Sequence, residues 1–400
     1  MSDHPDSQNQ PGANSSHDDQ AVGPLKDPFN DPFNDPFTNS EKGKGNKDES
    51  GKSASSVESD SSRSDSPKSD SDKSKSVSSF FNRLLSLAKR SIQGLALLPV
   101  PLFVFSLLGR HFYFAELLCN FRGYLMITLL ISIAIFLLSR RWWLATLSIP
   151  VLCWSMIGVV TVYWPASQPP AGSETIRIMS FNVLGTNSRH QLMLDQVRSA
   201  DPDVISILEY SGRWHSPMDC LTEKYPHQLR FPRWHGFGIA MFSKYPFSKS
   251  EQLAITKEES DVPIIVANVE FGSSSNPKTV RLAAVHVLSP TNHFRTGLRN
   301  QQFVEVADIL AKEDIPTVVM GDFNCVPWSA FIDDFLNTTN YRDSRQGFGY
   351  HATWDSRLWP IQLPIDHAFV SKHIHVHDRY VGGFGGSDHF PIIFEISLTE

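Results

Sequence analysis

The sequence predicts an α/β protein built from two packed sheets with helices outside, preceded by a polar tail and about three apolar segments of membrane length. Three observations carry this. Residues 1–78 are dominated by Ser, Asp, Lys, Gly, Asn and Pro. Between about residue 79 and residue 164 the chain turns apolar for long stretches. From Glu174 onward, short strand-like runs recur with few helical stretches between them, a pattern of two layered sheets.

The tail comes first. It contains too little apolar surface to offset the entropy of ordering, so disorder is expected. Within it lies a repeat, Asp27-Pro28-Phe29-Asn30, Asp31-Pro32-Phe33-Asn34, Asp35-Pro36-Phe37. Three evenly spaced phenylalanines on a tether read either as a docking motif for an unknown partner or as a slippage repeat without one.

Residues 79–164 follow. Phe80, Phe81, Leu84, Leu85 and Ala88 share one face of a helix over Ser79–Arg90, which reads as a membrane-surface helix or as an extension of the next one. Ile92–Leu108, Gly123–Leu138 and Trp142–Tyr163 are each close to a bilayer-spanning length. Pro99 and Pro101 predict a kink or break in the first. Trp142, Trp143, Tyr163 and Trp164 stand where an interfacial aromatic belt belongs. Arg83, Lys89, Arg90, Arg140 and Arg141 favour the cytoplasmic side, while Arg110 and Arg122 lie opposite and weaken that bias. Three spans put everything after Trp164 outside the cytoplasm, in the periplasm of a bacterium. The proline-rich stretch 165–173 is a linker.

In the remaining part, residues 174–400, strands are expected at 175–181, 204–208, 238–242, 264–271, 280–287, 317–320, 365–370 and 392–396, with helices at 188–199 and 297–311. The whole chain carries 36 Lys and Arg against 42 Asp and Glu, a net charge of −6. No basic stripe is visible, which weighs against binding of long duplex DNA. The cysteines, Cys119, Cys153, Cys220 and Cys325, form no CxxC pair, so neither a zinc site nor a redox motif is expected. Cys220 and Cys325 would need an oxidising compartment to form a bridge, and two buried thiols are the simpler expectation.

Polar residues cluster at strand ends. Gly321-Asp322-Phe323-Asn324 closes the run Thr317–Met320, and Ser387-Asp388-His389 follows a glycine-rich turn. Asp322 and Asn324, two apart, are expected on one face of one strand. Carboxylates, carboxamides and imidazoles at a sheet rim point to metal-assisted hydrolysis of a phosphate ester.

Six motifs stand in order: Ser180-Phe181-Asn182-Val183, Ile205-Ser206-Ile207-Leu208-Glu209, Ala284-Val285-His286, the Gly321–Asn324 motif, Ile365-Asp366-His367 and Gly386-Ser387-Asp388-His389. In these the region from Glu174 to the end resembles the endonuclease/exonuclease/phosphatase superfamily. The resemblance implies a four-layer α/β sandwich, two mixed sheets with outer helices. It implies Glu209 as the main ligand of Mg²⁺ or Mn²⁺, with Asn182 and Asp388 assisting. It implies catalytic roles for Asp322, Asn324, His286, His389 and Asp366, with either Asp322 or His389 as the base and Asp366 bonded to His389. Arg299 is a candidate phosphate clamp or a solvated surface residue, and His367 is read as packing. Leu184 stands where abasic-site endonucleases of the superfamily carry an Asp, which puts that activity in doubt. The expected function is phosphodiester hydrolysis, on nucleic acid or a phospholipid headgroup, by a protein held in the lipid bilayer. The alternatives are a phosphomonoesterase or a non-catalytic binding module on the same fold.

Overall fold

The computed structural model describes residues 70–165, 172–256, 260–273, 275, 277–312 and 314–399. The Asp-Pro-Phe repeat, most of the expected tail and the centre of the expected linker lie outside the described residues.

The helical part contains α1 (Asp70–Leu97), α2 (Pro99–Ser106), α3 (Tyr113–Cys119), α4 (Arg122–Leu138) and α5 (Trp142–Val160). The helix begins at Asp70, so the last residues of the stretch expected to be tail are helical. The amphipathic segment 79–90 is continuous with the first span as the front of α1, which is the extension reading and not a separate surface helix. Leu98 interrupts the helix and Pro99 opens α2, where proline's missing N–H costs nothing. Val77–Ser106 and Trp142–Tyr163 are long and apolar enough to cross a membrane. α3 and α4 qualify only together, as a pair bent by 73°.

The rest of the chain folds as β1 (Ile176–Asn182), α6 (His190–Ala200), β2 (Val204–Leu208), α7 (His215–Met218), β3 (His227–Phe231), β4 (Ile239–Ser243), β5 (Phe247–Ile255), β6 (Val262–Phe271), β7 (Lys278–His286), α8 (His293–Leu310), β8 (Thr317–Asp322), α9 (Ala330–Thr339), β9 (Arg342–Asp343), β10 (Asp366–Val370), β11 (Ile374–Val381) and β12 (Ile392–Leu398). Among the described residues these make two six-stranded sheets, in the orders β11-β12-β1-β2-β4-β3 and β5-β6-β7-β8-β10-β9. Each has a single parallel pair at its centre, β1 with β2 and β7 with β8, flanked by antiparallel neighbours. A helix bridges each parallel pair, α6 in one sheet and α8 in the other, as parallel strands require.

The layers follow from alternation. Even-numbered residues of β1, β2, β7, β8 and β10, among them Ile178, Leu208, Leu282, Met320 and Ala368, form the core between the sheets. Odd-numbered residues face outward. Met179, Phe181 and Ile205 meet Met193, Leu194 and Val197 of α6. Val285, Val319 and Phe369 meet Phe303 and Val306 of α8 and Ile332 and Phe335 of α9. The result is helix, sheet, sheet, helix, the four-layer sandwich expected.

The helical part packs onto this sandwich. Trp328 Nε1 donates to Cys119 O (2.7 Å), Gly347 N donates to Val162 O (2.8 Å) and Arg110 pairs with Asp334 (2.8 Å). Cys119, Val326, Trp328, Leu363 and Ile365 form a small shared apolar cluster with Tyr124 and Val159 beside it.

Candidate active site

The same alternation places the polar residues. Asn182, His286, Asp322 and Asp366 carry the even parity of their strands' inward-facing residues. They therefore point between the two sheets, at the end where the parallel strands finish. His286 and Asp322 are direct neighbours in register, as are Asp366 and Asp322. Glu209 has the opposite parity, but it follows β2 with a left-handed φ of +59°, and the turn brings it back toward Asn182. Close approach of β7 to β8 needs a glycine before Asp322. Gly321 has φ +144°, and a Cβ there would meet Val285 O at 1.8 Å.

Asp322 is the hub. Its Oδ2 accepts from Asn182 Nδ2 at 3.2 Å and lies 3.5 Å from His286 Nε2 and 3.6 Å from His389 Nε2. His389 is oriented from behind, because its Nδ1 bonds Asp366 Oδ2 at 2.8 Å. Asn182 Nδ2 also reaches Glu209 Oε1 at 3.1 Å, and Gly185 N donates to Glu209 Oε2 at 2.9 Å. Ser387 latches the last motif to the first: its Oγ donates to Asn182 O (2.7 Å) and accepts from His389 N (3.1 Å).

Burial sets the charges. It pushes the Asp322 carboxyl up to about 6, against the opposing pull of His389. Burial also raises Glu209, opposed by the Gly185 and Asn182 hydrogen bonds. It lowers His286. For His389 burial disfavours the charge, yet the carboxylates of Asp366 and Asp322 outweigh it and hold the imidazole up at about 10.

These residues fit a divalent cation. Glu209 is a desolvated carboxylate bonded to two neutral donors, which leaves its charge uncompensated by them. Asp388, which raises Glu209 further by its own charge, adds a second hard oxygen donor nearby. Asp322, Asp366 and His389 also bring ligand-type atoms within 4.8 Å of one another. In that trio His389 Nδ1 and Asp366 Oδ2 already bond each other, so two sets of residues could hold a cation, Glu209 with Asp388 and the trio itself.

Several expectations are corrected. Asn324 does not lie on the strand with Asp322: β8 ends at Asp322, and Asn324 sits in a turn at φ +48° with its N–H on Asp322 Oδ1 (2.8 Å) and its Nδ2 on Val287 O (3.0 Å). Arg299 is no phosphate clamp and no surface residue. It is buried, ion-paired with Glu116 of α3, and donates to Asn324 O at 3.2 Å. Cys325 is a buried thiol as expected, but Cys220 is exposed, and both are free. His367 packs as read, stacked on Phe369 with Nε2 at Cys325 O (2.7 Å). Asp388 takes a hydrogen bond from Trp354 Nε1 at 3.3 Å. Trp354 also pairs with His389 across a single β-bridge. Nothing in the spacing of the motifs singles out Trp354 or predicts the bond from Ser387 to Asn182 O, since these partners are remote in sequence.

The profile of the Endonuclease/Exonuclease/phosphatase family matches residues 179–389, more than half of the chain. The chain belongs to that family. Members of the endonuclease/exonuclease/phosphatase family are hydrolases of phosphoesters, and the converging carboxylates, amide and imidazoles suit such chemistry. Among solved structures the chain is similar to a family protein of Beutenbergia cavernae (15% identity, 56% of this chain and 72% of that one, TM-score 0.45). It is similar to D. rerio TDP2 complexed with a single-strand DNA product (17%, 56% and 99%, TM-score 0.47). It is similar also to sphingomyelinase C of Streptomyces griseocarneus (13%, 56% and 99%, TM-score 0.42). No curated protein matches the chain in sequence.

Proposed function

We propose that this chain is a membrane-anchored phosphodiesterase that works with Mg²⁺ or Mn²⁺. The observation that carries the reading is the surrounding of Asp322: one buried carboxylate faced by the Asn182 amide at 3.2 Å, His286 at 3.5 Å and His389 at 3.6 Å. An ionised carboxylate only accepts hydrogen bonds, whereas the Asn182 amide N–H₂, the His389 imidazolium and the N–H of a neutral His286 can donate them. Asp322 is thus the group that takes a proton from the attacking water, and the histidines are donors. Glu209 would hold the cation with Asn182 and Asp388, and the cation when bound polarises the phosphoryl oxygens. His389, aligned by Asp366, donates to a phosphoryl oxygen. His286, on the other side of Asp322, donates to a phosphoryl or leaving-group oxygen. Asn324, whose amide N–H₂ is engaged by Val287 O, serves through its turn, which closes on Asp322.

Anchoring rests on the two membrane-length helical stretches and the bent pair of α3 and α4. The arginines at the α4–α5 link, Arg140 and Arg141, favour the cytoplasmic side, which puts the phosphodiesterase part outside it.

The test uses full-length protein in detergent micelles with a bis-aryl phosphodiester and an aryl phosphomonoester. Turnover of the diester that requires Mg²⁺ or Mn²⁺ and is lost in Asp322→Ala is the expected result. Hydrolysis of the monoester alone would make the protein a phosphomonoesterase. A folded protein inert toward both would leave only a binding role for this fold.

A further inference from the structure

Two loops at the catalytic end of the sandwich carry large apolar side chains in the open. Phe294, at the start of α8, is 68% exposed. Between β9 and β10, Leu358, Trp359 and Ile361 are 55%, 83% and 53% exposed. Clusters of this kind on a folded surface mark a site of contact. Both loops adjoin the candidate active site in sequence, and neither Phe294 nor Leu358–Ile361 is one of its residues. The first leaves β7 directly after His286. The second begins beyond Trp354, which bonds Asp388 and pairs with His389.

Both loops are also tied to the helical part. Tyr113 Oη donates to Pro290 O at 3.1 Å. Tyr124 Oη donates to Pro360 O at 2.9 Å and accepts from Gln362 N at 2.9 Å. Tyr113 and Tyr124 stand at the N-terminal ends of α3 and α4, the two helices that together pass as one bent span. A tyrosine at the end of a span belongs at the headgroup level, with its ring apolar and its hydroxyl satisfied. Tyr124, beside the 73° bend between α3 and α4, ties Pro360 to that bend, and Trp359 and Ile361 flank Pro360 in sequence.

We propose that Phe294 and the Leu358–Ile361 loop rest in the headgroup layer of the bilayer that holds α3 and α4, so that the site takes its phosphodiester from a membrane lipid. This rests on the phosphodiesterase reading above and adds the substrate class. Trp359 suits the role, since an indole is stabilised at the boundary between headgroups and acyl chains. The absence of a basic stripe fits a lipid better than a long polyanion.

The experiment reconstitutes the full chain in vesicles of phosphatidylcholine, phosphatidylethanolamine and sphingomyelin, and follows headgroup release with Mg²⁺. Trp359→Asp, Phe294→Asp and the unaltered protein are compared, with the bis-aryl diester and a single-stranded oligonucleotide as soluble substrates. Expected is headgroup release that falls about tenfold or more in Trp359→Asp, with bis-aryl diester turnover within about twofold of the unaltered protein. Headgroup release unchanged in both variants overturns the proposal, as does cleavage of the oligonucleotide without any release from lipid. A second readout needs no catalysis: quenching of tryptophan fluorescence by lipids brominated near the headgroup, compared between the unaltered protein and Trp359→Phe. A quenched component that disappears in Trp359→Phe supports the placement. Equal quenching in the two overturns it, even if the bis-aryl diester is hydrolysed. Loss of all diester turnover alongside normal quenching would instead strike the phosphodiesterase reading and leave the membrane contact standing.

Discussion

Glu116 of α3 is ion-paired with Arg299 of α8, and both side chains are buried. Arg299 also donates to Asn324 O in the turn after Asp322. A residue of the helical part thus supports a loop of the candidate active site. Removing one partner of a buried pair leaves an uncompensated charge at a cost of about 3–5 kcal/mol. Glu116→Ala should lower the thermal midpoint of the full chain sharply, and Glu116→Ala combined with Arg299→Met should recover much of the loss. Calorimetry of both variants in micelles checks this. Equal destabilisation by the single and double changes would show that the pair is not what matters.

Gly321 and Gly297 should respond in opposite directions to alanine. At Gly321 the φ of +144° and the 1.8 Å approach to Val285 O leave no room for a methyl group. The cost is expected to be on the order of 3 kcal/mol or more, with disruption of the β7–β8 pair. At Gly297, inside α8, no atom lies within 4 Å of the added Cβ. Alanine there should stabilise the helix by about 0.5–1 kcal/mol. Chemical denaturation of the two variants gives the comparison.

Asp322→Asn should lower kcat/KM for a phosphodiester by about 10³-fold, because the amide cannot take the proton. His389→Ala should cost a similar factor. Asp366→Asn should cost less, since it leaves the imidazole in place and removes only the 2.8 Å bond that orients it. Steady-state kinetics with folding checked by circular dichroism decide the order. If Asp366→Asn were the most damaging, the proton-accepting role would have to move from Asp322 to the Asp366–His389 pair.

Divalent cation should stabilise the protein in the absence of substrate, by mass action on the folded state. Mg²⁺ or Mn²⁺ is expected to raise the thermal midpoint, and chelation to reverse it. Glu209→Gln should abolish the rise, while Asp366→Asn should preserve it. A rise that survives Glu209→Gln and vanishes in Asp366→Asn would relocate the cation to the Asp322–Asp366–His389 trio.

Asp343 and Arg345 offer a pH signature away from the site. Arg345 Nη2 and Nε donate to Asp343 Oδ2 at 2.6 and 3.0 Å. Burial would raise the Asp343 carboxyl, but the Arg345 guanidinium outweighs it and holds it well below the usual carboxylate range. A carboxylate depressed in the folded state adds stability above its unfolded value, near pH 4, and that stability drains away as the pH falls further. Asp343→Asn should therefore be less stable than the unaltered protein at pH 7 and lose less on acidification below pH 4. Melting temperatures measured from pH 7 down to pH 3 test the sign.

The strands that escaped the sequence reading were β3, β5, β9 and β11, and these are the outer edges of the two sheets. β5, Phe247–Ile255, is exposed along most of its length, so its side chains lack the alternation that marks a half-buried strand. The central strands are legible because both of their faces are covered, which leaves near-continuous apolar runs. Asn324 and Arg299 were misplaced for a different reason. A turn at φ +48° and a partner on a distant helix leave no trace in local spacing.

Apolar runs and their polar ends, written along the chain, determined the central strands, which residues close them and hence which chemical groups gather at their ends. Parity along each strand even determined the face those groups take, since successive side chains must alternate. That two sheets meet face to face, so that Asn182 and Glu209 from one stand beside His286, Asp322 and Asp366 from the other, was decided only by the packing of their shared core. The pairing of Glu116 with Arg299 was likewise a tertiary decision. Contacts between residues nearly two hundred positions apart depend on how whole layers dock, and no local pattern encodes that.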